Sequence, residues 1–327
     1  MLVELAPDHP LYARVLDQTY PLWHDQLTPA RYAQYNLAQL QTRWGAARLR
    51  RVALVEGGRV LASAKRYALT VSLDGRSVPT LGIGAVFTPP ELRRRGHARA
   101  LLEALLSAAR AAGTELAMLF SEIDPAYYEK LGFRLVPVAD ATLAVPRPAG
   151  APGLHVRSVD ERDYPFIADM HEQRAAAFRF SLRMDADWIQ YSVTKKRLLS
   201  GLGPPGTRDV ECVVAEEGGR AAAWLLLQVA RPPRAGNETW SVAACGDRDP
   251  AGARIGGMLQ TLLARAPGVR PPVVRAWWPP RLQPPQVTFR VREATGTRLM
   301  LCPLTDRLRI EPPLSLEDVL YWHGDAF

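Results

Sequence analysis

The sequence predicts an α+β fold, a mixed central sheet flanked by helices, followed by a second α+β unit on the same plan. Three observations carry this. Leu81–Gly113, LGIGAVFTPPELRRRGHARALLEALLSAARAAG, runs from an apolar strand through a Pro89-Pro90 turn and a basic glycine loop into an Ala/Leu helix. Asp74-Gly75 separates two strand-like runs, a hairpin signal. Residues 146–153, PRPAGAPG, form a Pro/Gly-rich break, and strand, turn and helix recur beyond it at 239–266.

A chain of 327 residues, 47% hydrophobic, suggests two domains with real cores. The first unit reads as a strand near 2–5, helices near 11–20 and 28–42, and strands near 50–56, 59–72 and 77–87. A helix near 97–112 follows, with Leu101, Leu102, Leu105, Leu106 and Ala109 on one face. A strand near 115–121, a short helix near 125–130 and strands near 133–145 complete the unit. In the second, Arg157–Phe180 and Asp185–Leu199 look helical, and Val210–Glu216 with Ala221–Ala230 reads as a hairpin. Strand Thr239–Cys245, helix Ala251–Ala266 and strand Val273–Trp278 follow. Leu314–Phe327 is expected to be a short helix capped by Ser315, plus a tail. The expected domains are therefore 1–148, 154–310 and a terminal 311–327.

The loop Arg93-Arg94-Arg95-Gly96-His97-Ala98 has a physical logic of its own. Loop amides and a helix N-terminus face one way and make an anion site. Gly96 permits close backbone approach, and the arginines add a positive field suited to a pyrophosphate. Further on, Tyr128-x-x-x-Gly132-Phe133 follows the second strand of this unit.

Together these elements resemble the GNAT superfamily of N-acetyltransferases. Its Arg/Gln-x-x-Gly-x-Gly/Ala signature reads here as Arg93-x-x-Gly96-x-Ala98, and Tyr-x-x-x-Gly-Phe resembles its second signature, at the usual distance. The phrases Val86–Arg93 and Leu119–Ile123 also resemble fungal lysine N-epsilon-acetyltransferases. The resemblance implies a GNAT fold whose parallel strand pair splays to admit the pantetheine arm of acetyl-CoA. It implies an arm paired with the backbone of Val86 and Thr88, and a pyrophosphate held by Arg93, Arg94, Arg95, Gly96, His97 and Ala98. Tyr128 matches the tyrosine that protonates the leaving sulfur, and Gly132-Phe133 is read as a helix stop and a core aromatic. The second unit resembles a degenerate GNAT-like domain, the alternative being an unrelated α+β domain: aligning Gly252 with Gly96 puts Asp249 where Arg93 sits, and a carboxylate there repels a pyrophosphate. Tandem units with one active copy occur in the superfamily, including the enhanced-intracellular-survival type of acetyltransferase.

The expected reaction is direct transfer of an acetyl group from acetyl-CoA to a primary amine of a small molecule or peptide. The alternative is a non-catalytic acyl-CoA-binding or regulatory protein; retention of Tyr128 favours the enzyme. The base is open. Leu81–Phe87 holds no carboxylate; Glu122, Asp124 and His24 are candidates, each also readable as an ordinary exposed or capping group. In the enhanced-intracellular-survival type a terminal phenylalanine carboxylate accepts the amine proton, so the carboxylate of Phe327, or Asp325 or His323 beside it, is a further candidate.

Bulk properties narrow the field. Cys212, Cys245 and Cys302 offer neither a disulfide framework nor metal spacing, and the six histidines add none, so no metal is expected and a reducing cytoplasm is the simplest setting. No apolar run is long enough to span a membrane. The net charge of +8 comes from arginines spread along the chain, lysine occurring only at 65, 130, 195 and 196. Without aromatic-basic interleaving, nucleic acid is not the expected partner, and attraction of anionic CoA is the simpler role for the charge.

Overall fold

The computed structural model describes residues 1–146, 154–231, 238–265, 272–293 and 296–325. They form two compact units, one built from residues up to Val136 together with the stretch ending at Pro313, the other from Pro137 onward together with the stretch beginning at Leu314. Among the described residues no helix is long and apolar enough to cross a membrane.

The first unit comprises β1 (Leu2–Leu5), α1 (Pro10–Trp23), α2 (Pro29–Gln41), α3 (Arg43–Arg48), β2 (Leu49–Glu56), β3 (Arg59–Leu73), β4 (Arg76–Phe87), α4 (His97–Ala111), β5 (Leu116–Ser121), α5 (Ala126–Glu129) and β6 (Arg134–Leu135). The helix starts follow from the local sequence. His9 Nδ1 accepts from Leu11 N–H at 3.1 Å before Pro10, and Thr28 Oγ1 accepts from Arg31 N–H before Pro29; each proline sits where its missing N–H costs nothing. Asp74 and Gly75 both take left-handed φ (49° and 77°), as a two-residue hairpin turn requires, and β3 and β4 pair around them. The strand order is β1-β2-β3-β4-β5, then the strand Arg298–Pro303, then β6, and β4–β5 is the parallel pair. Leu101, Leu102, Leu105 and Leu106 of α4 pack on Val52, Ala64, Leu81, Ile83, Ala117 and Leu119. Each such leucine contributes roughly 1.5–3 kcal/mol by leaving water.

The second unit contains β7 (Ala139–Ala144), β8 (Val156–Ser158), α6 (Tyr164–Ala175), β9 (Phe180–Leu182), α7 (Ala186–Leu202), β10 (Arg208–Glu217), β11 (Arg220–Ala230), β12 (Thr239–Asp247), α8 (Ala253–Arg265), β13 (Val273–Trp277) and β14 (Thr288–Glu293). Its sheet order is β14-β7-β13-β12-β11-β10-β8, with β12–β13 parallel. The arrangement β12-α8-β13 repeats β4-α4-β5, so the second unit has a GNAT-like layout.

Three expectations need correction. Residues 139–144 were expected to close the first sheet, but β7 pairs with β13 of the second sheet, while Arg298–Pro303 closes the first against β5. The units thus divide after Val136 and not at 148–154, whose residues 147–153 lie outside those described. An apolar alternation specifies a strand but not which sheet edge it joins. Secondly, Arg157–Phe180 is not one helix. Val156–Ser158 is an edge strand on β10, and Arg157 forks onto Asp163 (2.7 and 2.9 Å) while also pairing with Glu216, which fixes the turn into α6. Thirdly, Leu314–Phe327 is not a helix with a tail. Ser315 N–H and Oγ donate to Asp318 (2.8 and 2.7 Å), closing a single 3-10 turn, after which Val319–Leu320 runs parallel to β9.

Candidate functional site

The parallel pair of the first unit is paired over only part of its length. Thr80–Ile83 align with Leu116–Leu119, but β4 continues to Phe87 and β5 to Ser121 without further pairing. The cause is local. Gly84 faces Lys65 and Phe87 faces Ser63, so Ala85 and Val86 together stand opposite Ala64. This is a β-bulge, with Ala85 held at φ 49°, and it bends β4 away from β5. The β5-facing peptide groups of Gly84–Phe87 therefore form an unpaired edge, Val86 among them. Thr88 follows, and its buried Oγ1 has no hydrogen-bond partner among the described residues.

A short 3-10 turn, Pro90–Leu92, carries the chain to the basic loop. Arg93 is extended and its Nε donates to Thr88 O at 3.2 Å. Arg94 (φ 62°) and Gly96 (φ 83°) are left-handed and swing the chain into α4. Gly96 precedes the first turn of α4 without any side-chain cap, so the leading N–H groups have no partner from within the helix. Arg93, Arg94 and Arg95 are exposed and His97 and Ala98 half-buried. A Cβ on Gly96 would meet no atom within 4 Å. An unpaired strand edge, an orphaned hydroxyl and an uncapped helix start with three arginines fit a pantetheine arm and a pyrophosphate.

A side chain at Gly96 has room, but the backbone there is held in the left-handed region. A β-branched residue at φ 83° would strain the helix start by itself. Gly96→Ala is the cleaner probe. It is expected to weaken CoA binding about tenfold or more, the equivalent of one charge-assisted hydrogen bond, with a melting curve lowered by a few degrees, because any side chain at φ 83° costs about 1–2 kcal/mol. Unchanged affinity in a titration would remove the loop from the site.

Tyr128 is set by the geometry of its own motif. Ala126 N–H donates to Asp124 Oδ1 (3.0 Å), starting the single turn α5. Phe133 N–H then donates back to Tyr128 O (3.2 Å), with Gly132 N–H to Glu129 O nested inside at 3.0 Å. Gly132 supplies the left-handed residue at φ 91° that this closure needs. The Tyr128 and Phe133 rings meet edge to face at 6.1 Å, as the end residues of this closure do. So the spacing Tyr-x-x-x-Gly-Phe is a helix-stop device that presents Tyr128 at the end of β5. The ring, 7% exposed, packs with the Leu101–Leu105 face of α4. Burial first, then Tyr127 and Glu122, push its phenol up to about 12. Tyr127 meets it edge-on, at 84° with ring centroids 5.1 Å apart.

Glu122 is exposed on the turn after β5, near enough to influence Tyr128 electrostatically. Asp124 is occupied as the cap of α5, and His24 Nδ1 accepts from Gln26 N–H. Phe327 lies outside the described residues. Sequence reasoning missed the bulge at Ala85 and the aromatic contact that closes the end of β4, Trp23 against Phe87 at 6.0 Å. Neither leaves a local signal, since each depends on which strands and helices meet.

The equivalent place in the second unit is built differently. Asp247, at the end of β12, accepts from Arg254 N–H in the first turn of α8 (2.9 Å) and from Asp249 N–H (2.8 Å). Arg254 closes over it, pairing with Asp247 and Glu217. A carboxylate of the chain itself thus holds the helix start that a phosphate would use. Asp249, the residue singled out in the sequence, is spent on Ala251 N–H.

Residues 14–136 match the family model of the acetyltransferase (GNAT) domain. A search of curated proteins finds no sequence match. Among solved structures, a GCN5-related N-acetyltransferase from Anabaena variabilis is 14% identical with a TM-score of 0.66, over 93% of this chain and 73% of that one. Eis1 from Mycobacterium abscessus is 14% identical with a TM-score of 0.56, over 93% and 74%. An N-myristoyltransferase from Saccharomyces cerevisiae with bound myristoyl-CoA is 10% identical with a TM-score of 0.57, over 92% and 82%.

Proposed function

We propose, from the membership of this chain in the GNAT superfamily of acyltransferases, that it moves an acetyl group from acetyl-CoA directly onto a primary amine of a small molecule or peptide. The observation that carries this is the junction of the unpaired edge at Gly84–Phe87, the uncapped start of α4 and Tyr128 in one unit. Bound acetyl-CoA supplies an activated thioester. The chain's own residues do the rest by position. Val86 and Thr88 align the arm, and Arg93–Ala98 hold the pyrophosphate. A backbone N–H in 86–88 faces the developing oxyanion. Tyr128 O–H donates to the sulfur as it departs.

Two carboxylates compete as acceptor of the amine proton, Glu122 and that of Phe327. Deleting residues 323–327 does not separate them, because Gly324 O accepts from Lys196 Nζ and Asp325 is buried and acts electrostatically on the same amine. Glu122→Gln and removal of Phe327 alone are the informative changes. If both leave kcat at neutral pH intact, neither is the base.

An amine panel with thiol detection, run against a chain-length series of acyl-CoAs, tests the reading. Acetyl-CoA with a primary amine should give the highest kcat/KM; absence of amine-dependent thiol release across the panel would sink it. Calorimetry on the full chain should give one CoA per molecule, since Asp247 occupies the second helix start. Two equivalent sites would reject the division of labour between the units.

A further inference from the structure

The second unit repeats the feature that opens the arm slot in the first. β12 and β13 pair through Thr239–Val242 and Val273–Ala276, and then part. Val242 faces Leu227 and Ala244 faces Leu226, so Ala243 is the extra residue of a bulge, as Ala85–Val86 is in β4. In this unit a piece of the same chain lies against the ends of both strands. After Leu320, Tyr321 stacks on Phe180 at 6.3 Å. Trp322 is fully buried against Trp278 (5.9 Å), and His323 meets the end of β13 edge-on at Trp277 (5.0 Å). Gly324 lies flat on β12: a Cβ there would overlap the carbonyl oxygen of Ala243.

The segment is closed on itself and latched from α7. Asp325 N–H donates to Trp322 O (2.9 Å) and Trp322 N–H to Asp325 Oδ2 (3.1 Å). Tyr321 O–H reaches Asp325 O at 3.3 Å. Lys196 Nζ donates to Gly324 O (2.7 Å) and Ser192 Oγ (2.8 Å), with Lys196 7% and Asp325 3% exposed. Buried titratable groups are tolerated where they are hydrogen-bonded, as Lys196 is to Gly324 O and Ser192 Oγ and Asp325 to Trp322 N–H, each also acting electrostatically on the other. Their presence at this spot marks a built contact rather than a chain end lying loose on the surface.

We infer that the parted strands of the second unit are a peptide-binding cleft whose resident ligand is the segment Tyr321–Asp325, with Gly324 giving the close approach and Lys196 the latch. The inference rests on the GNAT-like layout of this unit, and not on CoA binding by the first. The slot that a pantetheine arm fills in one copy is filled in the other by a turn of polypeptide, and Asp247 completes the replacement at the phosphate end.

Hydrogen–deuterium exchange on the full chain tests this. In the wild type, residues 319–325 and the end of β12 should exchange slowly. Gly324→Ala should speed both by at least about tenfold while peptides of the first unit keep their rates. A synthetic peptide of sequence LYWHGD, added to that variant, should restore slow exchange at 243–247. Lys196→Met combined with Asp325→Asn, which removes both buried charges at once, gives a second route to the same loosening if Gly324→Ala expresses poorly. Unchanged exchange at 319–325 in both variants, or no protection by the peptide, would overturn the inference. So would a second CoA bound by Gly324→Ala, which would make the segment a competitor of CoA in a cofactor site. Loss of CoA binding by the first unit leaves these exchange results untouched.

Discussion

Tyr128→Phe is expected to lower kcat about 10²-fold with CoA affinity little changed, the usual loss when a positioned proton donor is removed. The ring stays: its contacts with Phe133, Tyr127 and α4 are those of a phenyl group, so the helix stop and the core are kept. What goes is the O–H. Burial, followed by Tyr127 and Glu122, lifts this phenol to about 12, so it carries its proton throughout the working range. An acid that weak does not hand its proton outright to a thiolate whose own pKa is about 8.5. It donates a hydrogen bond while charge collects on sulfur. Two results follow. kcat and kcat/KM should fall together, and the wild-type pH–rate profile should show no alkaline limb from Tyr128 below about pH 12. A Phe variant with wild-type kcat for its best amine, or one whose defect is confined to KM, would take Tyr128 out of the chemistry.

The largest stability effect is expected at Lys196. Lys196→Met should destabilise the second unit by about 3 kcal/mol, because it strips Gly324 O and Ser192 Oγ of their charged donor and removes the positive charge that acts on the buried Asp325. Burial acts on both partners in opposite directions, pulling the amine down and pushing the carboxyl up, each to about 7. Removing both charges relieves both penalties. Lys196→Met with Asp325→Asn should therefore cost less than the two single changes added together, by 1 kcal/mol or more as directly coupled pairs do. Denaturant midpoints at constant slope measure this. Additive losses would show that the two groups do not interact. A single variant as stable as the parent would show that the buried amine is not needed.

Much of the first unit is legible because its signals are local. The proline-led helices at 10 and 29, the Asp74-Gly75 turn and the leucine face of α4 each decide their own structure within a few residues. The motif at 128–133 is local too, being the hydrogen-bonded end of one helical turn. What was not legible depends on partners far along the chain. Ala85 at φ 49° is forced by how β3 and β4 pair, and nothing in its neighbours announces it. Leu314–Phe327 misled for a similar reason: Ser315 reads as a helix cap, but it closes only one turn, and Phe180, Trp278 and Trp277 claim the rings at 321–323 one by one. Likewise Asp249 was the visible acid in the second unit, while Asp247, hidden at the end of a strand, holds the helix start.

The crossed ownership of β7 and Arg298–Pro303 bears on how the protein is made. Synthesis runs from the N-terminus, and domains commonly fold as they emerge. Here the edge of β5 that faces away from β4 has no partner until residue 303 has left the ribosome, since Arg298 pairs with Ser121 and Pro303 with Leu116. β5 waits through most of translation as a bare edge, and its sequence, Leu-Ala-Met-Leu-Phe-Ser, is uncharged and apolar. The nascent chain is thus most open to aggregation in the interval between those two strands. A gene cut at the Pro/Gly-rich break yields two fragments, each carrying one strand that belongs to the other's sheet.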